Sequence, residues 1–339
     1  MNLVRLFCGA TLAALAGVST ACAQTPDAPP VKIVARVPGP DGGWDYANFD
    51  AARRRVYVTR GTTVMVVGVD SGKVIAHFSE GKRLHAAVPV PGSDVIVTTD
   101  SGDNTAKIIS ATDGHLIAAI PTPKDADGAI YDPHSGLVLV VCGDGGAVAL
   151  IDPKSRKSVG VIDVGSPLEF AGVDGQGRAF VNEEAKNAVA VIDLAARKVV
   201  ATWALPNCQR PTGLAYAEGQ VVSACGSGMT DILDATTGKA LASLKVGGFP
   251  DAVIYDQRRR TAYVPSALSG TMAVIPLAGP RKDTIVETVV TQTGARTGAV
   301  DPRTGRVYLP AAQYILPAPA GQRPQPKSGT FEVLVVGSR

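Results

Sequence analysis

Seven copies of one pattern, spaced by about 40 residues, constrain this chain more than any other feature of its sequence. The clearest copy is "DAVIYDQRRRTAYVP". All copies but the last contain four short apolar runs separated by turns rich in glycine and aspartate. A period of this length with four strand signals predicts an all-β, seven-bladed propeller of four-stranded antiparallel blades. The copies begin at Asp45, His85, Asp127, Glu169, Thr212, Asp251 and Arg296.

The last copy lacks its fourth apolar run, and a spare run precedes the first copy. "VKIVARVPG" begins at Val31 and is similar to the fourth runs of the other copies. A propeller without ring closure would leave open strand edges. We therefore predict that residues 31–37 complete the last blade beside residues 330–337.

The first 23 residues read as a signal peptide that is removed from the mature chain. Arg5 precedes the apolar run "LFCGATLAALAGV", and Ala21-Cys22-Ala23 is a small-x-small cleavage site. The mature protein is predicted to start at Gln24, with a linker over 24–30 and the propeller over 31–339. Lipid attachment at Cys22 is the alternative. We expect a periplasmic or secreted monomer without a transmembrane segment in the mature chain, since the apolar run is too short to span a bilayer.

Composition excludes several other classes of protein. Only 19% of residues are charged and 45% are hydrophobic, so a large core is expected and extensive disorder is not. The net charge of +3 falls to +2 without Arg5, which requires no polyanionic partner. The sequence has no phosphate-binding P-loop, no H-E-x-x-H zinc motif, no G-x-S-x-G elbow and no C-x-x-C pair.

Three cysteines follow the predicted cleavage site. Cys208 precedes the first strand of blade five and Cys225 ends the second strand of the same blade, so both are expected on one face of it. We predict a disulfide between them, and we leave Cys142 as a free thiol.

The first residues of the seven copies are predicted to surround the mouth of the central channel. Innermost strands of a propeller start at equivalent positions around its axis, so these side chains converge. The loops between second and third strands open on the same face and contribute Arg60, Asp100, Asp103, Asp144, Glu183, Glu184, Ser227 and Ser266. An insertion at 311–330 in the last blade adds Tyr314, Gln313 and Arg323. The predicted ligand-binding set is Asp45, His85, Asp127, Glu169, Thr212, Asp251, Arg296 and Tyr314.

The predicted ring carries four carboxylates, one histidine and one arginine. Converging carboxylates can bind a small ligand or a divalent cation, which is the one cofactor the sequence leaves open. Polar residues at strand ends are also commonly just hydrated, so this second interpretation stays open. No serine or cysteine occupies a matching position, and we predict no nucleophile–base pair.

The opposite face is predicted to be basic. Its turns contain Arg53 to Arg55, Arg258 to Arg260, Arg303, Arg306, Lys154, Arg156, Lys157, Arg281 and Lys282. Such a patch can meet phosphate groups of lipopolysaccharide or nucleic acid. Aromatic residues are not interleaved with these arginines, which favours ordinary solvated turns over base recognition.

Repeat six, "PDAVIYDQRRRTAYV" followed by "GTMAVI", resembles the YVTN-repeat β-propellers, also called YncE-like. "RVYVTRGTTVMVVGVDSGKVIAHF" in repeat one and "AFVNEEAKNAVAVIDLAARKVVATW" in repeat four do so as well. The resemblance implies a secreted or periplasmic seven-bladed propeller of a family mostly without an assigned reaction. Repeats two and five, "VIVTTDSGDN" and "VVSACGSGM", depart from the pattern.

Three functions remain open at this level. The first is an exported, non-catalytic scaffold that binds an unknown small ligand or envelope protein at the acidic mouth. The second is a metal-assisted, lactonase-like hydrolase or lyase that uses Asp45, His85, Asp127, Glu169 and Asp251. The third is binding of nucleic acid or another anionic surface through the arginine-rich face.

Overall fold

The chain forms seven four-stranded antiparallel blades arranged around a central channel. The computed structural model describes residues 31–315 and 325–338. The predicted leader and linker, together with Arg323 of the insertion, lie outside the described residues. Within residues 31–315 and 325–338, no helix is long and apolar enough to cross a membrane.

Blades one and two share a continuous strand, because β5 runs from the outer edge of one blade into the innermost position of the next. Blade one contains β2 (Ala47–Asp50), β3 (Arg55–Thr59), β4 (Gly61–Gly68) and the start of β5 (Val74–Pro89). Blade two contains the end of β5 and then β6 (Val95–Asp100), β7 (Thr105–Ser110) and β8 (Leu116–Pro121).

Blades three to five are regular four-stranded meanders. Blade three contains β9 (Ala126–Asp132), β10 (Leu137–Cys142), β11 (Ala147–Asp152) and β12 (Lys157–Asp163). Blade four contains β13 (Leu168–Val173), β14 (Arg178–Glu183), a 3-10 helix (Glu184–Lys186), β15 (Ala188–Asp193) and β16 (Lys198–Ala204). Blade five contains β17 (Pro211–Ala217), β18 (Gln220–Cys225), β19 (Met229–Asp234) and β20 (Ala240–Lys245).

The last blade is completed by the first strand of the propeller, which confirms the predicted closure. Blade six contains β21 (Ile254–Asp256), β22 (Thr261–Ser266), β23 (Thr271–Pro276) and β24 (Glu287–Val290). Blade seven contains β25 (Ala299–Val300), β26 (Val307–Ala311), β27 (Glu332–Gly337) and β1 (Lys32–Pro38). The first strand pairs antiparallel with β27, from Lys32 opposite Gly337 to Pro38 opposite Glu332.

The core is divided among the interfaces between neighbouring blades. Between blades seven and one, Trp44, Met65 and Phe331 belong to one buried cluster. Between blades four and five, Phe180 and Leu214 belong to another. Because every blade is covered on both faces, its middle strands are buried along most of their length and mostly apolar, as the near-continuous apolar runs predict.

Aspartates at the ends of innermost strands stabilise the turns that follow. The buried carboxylate of Asp256 accepts hydrogen bonds from the backbone N–H groups of Arg258 and Arg259 at 3.0 and 3.1 Å. Asp50 and Asp132 make equivalent bonds in blades one and three. A carboxylate that accepts the N–H groups of the next residues closes a tight turn, which explains why this aspartate recurs in the sequence.

The cysteines of blade five are joined. A disulfide links Cys208 to Cys225, with their Cα atoms 5.2 Å apart. Cys142 is buried and free, and burial raises the pKa of its thiol to about 12. The thiol therefore stays protonated and poorly nucleophilic at neutral pH.

Candidate functional site

The seven residues that start the innermost strands line one cavity of about 230 Å³ at the mouth of the channel. The cavity therefore brings together residues from all seven blades. It also includes five residues that were not in the predicted ligand-binding set, namely Tyr46, Arg83, Glu184, Arg210 and Phe249. Tyr314 does not line the cavity, and its ring packs instead against Trp44 with ring centroids 6.2 Å apart.

The backbone of the ring is held by side chains of neighbouring blades. Thr59 donates a hydrogen bond to the carbonyl of His85 at 2.6 Å, and Thr99 donates one to the carbonyl of Asp127 at 2.5 Å. Thr297 of blade seven reaches the carbonyl of Asp45 at 2.6 Å. Such buried bonds from rigid strands hold the site residues in place before any ligand arrives.

His85 is the centre of one polar group at the mouth. Its Nδ1 lies 2.7 Å from Oδ2 of Asp45 and 3.3 Å from Oδ1 of Asp127. Burial lowers the pKa of His85, but the hydrogen bond to Asp45 and the charges of Asp127 and Asp45 outweigh it, so the pKa is raised overall. The carboxylates of blades one and three thus favour the protonated form of this ring, whose Nδ1 lies between them.

Ser101 adds a contact that the sequence analysis missed. Its Oγ lies 2.8 Å from Nε2 of His85, which places a serine, a histidine and Asp45 in a hydrogen-bonded chain. The prediction that the site has no nucleophile–base pair is therefore wrong as a statement about geometry. Ser101 follows the second strand of blade two, where the YVTN-like pattern is degenerate, and no motif marks it.

Arg296 neutralises a second part of the mouth. Its guanidinium lies 3.1 Å from Oδ2 of Asp251 and 3.7 Å from Oδ1 of Asp45, and it also donates to the carbonyl of Trp44 at 2.5 Å. Burial lowers its pKa, but the two carboxylates outweigh burial and raise it above the ordinary range. Arg296 is therefore a permanent counter-charge for blades one and six.

Two carboxyl groups remain less well compensated. The carboxyl of Glu169 makes no hydrogen bond or ion pair with any other described residue, although the positive charge of Arg296 partly offsets its environment. Burial and the negative charges of Asp251 and Glu184 raise its pKa to about 8. Burial, followed by the charge of Asp45, also raises the pKa of Asp127. At neutral pH these neighbouring groups favour a bound proton or another positive charge.

The ligand atoms of Asp45, His85 and Asp127 all lie within 4.8 Å of one another, which is close enough to hold a metal ion. Two carboxylates and one imidazole form a reasonable donor set for a divalent cation. A metal ion bound through Nδ1 needs that nitrogen unprotonated, whereas the two aspartates favour its protonated form. Metal binding would therefore release protons and weaken as the pH falls.

Most of the other loop residues predicted near the mouth have structural contacts instead, and Glu184 is the exception that lines the cavity. Arg60 donates to the carbonyls of Pro40, Gly42 and Gly43 and lies 3.4 Å from the ring centre of Phe331. Asp100, Asp103, Asp144 and Glu183 form ion pairs with lysines. These side chains stabilise the loops in which they lie, because nearby carbonyl groups accept their hydrogen bonds or lysines of opposite charge neutralise them.

Five of the ten arginines predicted for the opposite face pair with carboxylates of the described residues. Arg54 contacts both Asp70 and Asp301, and Arg260 contacts Glu218. The same holds for Arg53 with Asp50 and Asp94, Arg259 with Asp256, and Arg303 with Asp70. The sequence favours ordinary solvated turns for these arginines. The structure adds that carboxylates neutralise part of the positive charge of this face. This cancellation weakens the attraction that a phosphate-rich partner would require.

Comparisons with known proteins support the fold. Neither a family model nor a curated protein matches this sequence. The RRP9 WD40 repeats superimpose with a TM-score of 0.77 at 10% identity, over 91% of this chain and 98% of that one. U3-55K gives 0.77 at 10% identity, over 90% and 98%. Hydrazine synthase of Kuenenia stuttgartiensis gives 0.70 at 13% identity, over 86% and 96%.

These similarities define the class of protein. The chain is a β-propeller with a WD40-like fold, built from four-stranded blades and closed by its N-terminal strand. At such low identities the neighbours share the fold and carry no information about activity.

Proposed function

We propose that this propeller is a non-catalytic binding protein whose channel mouth takes a small ligand with a positively charged ammonium group. The unpaired carboxyl of Glu169, beside Asp127, is the observation that carries the proposal. His85 and Arg296 already serve Asp45 and Asp251, so an incoming cation would find its complement at blades three and four. The cavity of about 230 Å³ suits a small head group.

An ammonium group suits the mouth better than a metal ion at neutral pH. A metal would need His85 unprotonated, whereas the carboxylates around this ring favour its protonated form. An ammonium group needs only the proton of Glu169 to leave, and His85 can stay protonated between the two aspartates.

Calorimetric titration with tetramethylammonium tests the proposal. We expect binding that strengthens from pH 6.5 to pH 8.5, because Glu169 must ionise and its pKa is about 8. The uncharged isostere neopentane is too insoluble to use, so tert-butanol serves as the neutral control. Glu169→Gln should weaken tetramethylammonium binding at pH 8.5 by about tenfold, and Glu80→Gln on the exposed edge should leave it unchanged. Equal binding of tert-butanol, or full retention in Glu169→Gln, would contradict the proposal.

A divalent cation is the competing ligand at this site. Titration with calcium and zinc chlorides separates it from the ammonium proposal. Tight metal binding that is lost in His85→Ala, together with no tetramethylammonium binding, would favour the metal and reject the ammonium ligand.

Acyl-ester hydrolysis by Ser101 is a second candidate function, because its Oγ, His85 and Asp45 form a hydrogen-bonded chain at 2.8 and 2.7 Å. Two features weigh against it. The N–H of Ser101 already donates to the carbonyl of Arg83, and that of Gly102 donates to Asp100, so neither is free to stabilise an oxyanion. Two carboxylates beside His85 also favour its protonated form. A protonated histidine cannot accept the serine proton and is therefore a poor general base.

Labelling with a fluorophosphonate distinguishes this second candidate from simple binding. We expect no change in the intact mass of the folded protein at pH 8. A covalent adduct on Ser101 that disappears in Ser101→Ala and in His85→Ala would establish the hydrolase instead.

The proposal also includes the location of the protein, its macromolecular partner and its family. The predicted leader supports export to the periplasm or beyond, and the YVTN-like repeats support membership of that family. An envelope protein is then the natural macromolecular partner. N-terminal sequencing of the exported protein should find Gln24 first, and a retained leader or a lipidated Cys22 would contradict cleavage at this site.

A further inference from the structure

A second cavity, of about 410 Å³, occupies the channel between the acidic mouth and the turn face. It is lined by residues of β2, β5, β9, β13, β17 and β21, together with Gly298 ahead of β25. Its volume falls within the range of small-molecule sites. The cavity is called the lower chamber below.

The lower chamber is lined at one level by equivalent residues from six blades. Each lies four positions after the residue that its blade contributes to the mouth, and together they are Phe49, Pro89, Tyr131, Val173, Tyr216 and Tyr255. Four of these six are aromatic. The innermost strands of blades two to five have a one-residue register shift at the mouth residue, so the two rings are defined by the cavities that they line and not by strand alternation.

Tyr46 and Phe170 lie between the two cavities. Their ring centroids are 4.8 Å apart, and Tyr46 lines both the mouth and the lower chamber. Phe170 lies over Gly128, where an added Cβ would come within 2.8 Å of the phenylalanine ring. The glycine thus makes room for an aromatic ring in the channel.

The aromatic residues of this chain are concentrated here. Phenylalanine, tryptophan and tyrosine make up 5% of the sequence, yet six of the 21 lining residues are aromatic. The hydroxyl of Tyr46, a residue only 7% exposed, has no hydrogen-bond partner among the described residues. It is a polar group left available between the mouth and the lower chamber.

We propose that the lower chamber is a separate binding site for an uncharged, planar aromatic molecule of about two fused rings that carries a hydroxyl group. Aromatic side chains offer offset-stacked and edge-to-face contacts that a saturated ring of the same shape cannot match. An anionic ligand is disfavoured, because Asp251 borders the chamber. This site does not depend on the function proposed for the mouth.

Calorimetry or ligand-observed NMR with 2-naphthol tests the site, and 2-decalol serves as the saturated control of similar shape. We expect 2-naphthol to bind at least fivefold more tightly than 2-decalol. Ala215→Phe, which fills the chamber, should weaken 2-naphthol binding at least tenfold. Ala240→Phe, on the exposed outer strand of the same blade, is the matched control and should bind as the wild type does.

Tyr131→Leu keeps an apolar side chain in the chamber but removes one ring, so it should reduce the preference for 2-naphthol over 2-decalol. Equal affinity for the two alcohols, undiminished binding to folded Ala215→Phe, or no binding of 2-naphthol up to its solubility limit would overturn the proposal. Glu169→Gln should leave 2-naphthol binding intact, and Ala215→Phe should leave tetramethylammonium binding intact. The proposals for the two sites are therefore tested independently.

Discussion

A chain that begins at residue 39, and so lacks β1, should melt about 6 °C below a chain that begins at residue 24. The missing strand pairs with β27 over its whole length, and Val31, Ile33, Val34 and Val37 pack partly buried against the cores on either side of blade seven. Burial of four such side chains stabilises the fold by about 4 kcal/mol, which corresponds to roughly this change in melting temperature for a domain of this size. Differential scanning calorimetry measures it.

A synthetic peptide of residues 31–39 provides the control for this experiment. Added to the shortened chain, it should restore most of the lost melting temperature, because the open edge of β27 is still present to receive it. A scrambled peptide of the same composition should not. An unchanged melting temperature on removal of β1 would show that closure of the ring contributes nothing to stability.

The stability of the wild-type protein should fall between pH 5 and pH 9 by about 2 kcal/mol because of Glu169. Its pKa is raised from 4.5 to about 8 in the folded state, chiefly by burial. Between these two values the folded chain holds a proton that the unfolded chain has released, so rising pH favours unfolding. Below pH 4.5 both states are protonated, and the stability from this group is fully present.

Urea unfolding of Glu169→Gln at pH 5 and pH 9 tests this assignment. The variant should lose most of the pH dependence and should be the more stable protein at pH 9, since glutamine remains neutral throughout. Glu80→Gln makes the same chemical change at an exposed position and should follow the wild-type curve. A wild-type slope that persists in Glu169→Gln would assign the pH dependence to another group, such as Asp127, whose pKa is also raised.

The two cavities make different use of the same scaffold. Six of the seven blades place an ionisable residue at the mouth and blade five places Thr212 there, and six blades contribute a mostly apolar residue four positions later to the lower chamber. A ligand meets side chains that are already held by packing between blades, so little conformational freedom is lost on binding. A rigid channel of this kind favours recognition of small molecules with a matching charge or shape.

The sequence by itself determined the propeller, the number of its blades and the ring of residues at the mouth. These features depend on a local pattern that repeats every 40 residues or so, and equivalent positions in such repeats occupy equivalent places around the axis. The strand that closes the ring was also predictable, because one repeat lacked a run that the N-terminus supplied. The second ring, four residues after the mouth residue in six blades, was not predicted and became visible only in the cavity that it lines.

Only the tertiary structure decided how the charges are shared. Asp251 opens an apolar strand because it faces Arg296 across the mouth, and the three arginines Arg258 to Arg260 lie in a turn closed by Asp256. Ser101 contacts His85 from the end of a different strand of its blade, and the carboxyl of Glu169 has no hydrogen bond or ion pair with another described residue. The sequence shows which charged and polar side chains are present, but which of them form ion pairs or hydrogen bonds depends on distances between atoms from separate blades. Those distances arise only when the ring closes, because packing between blades sets which groups meet.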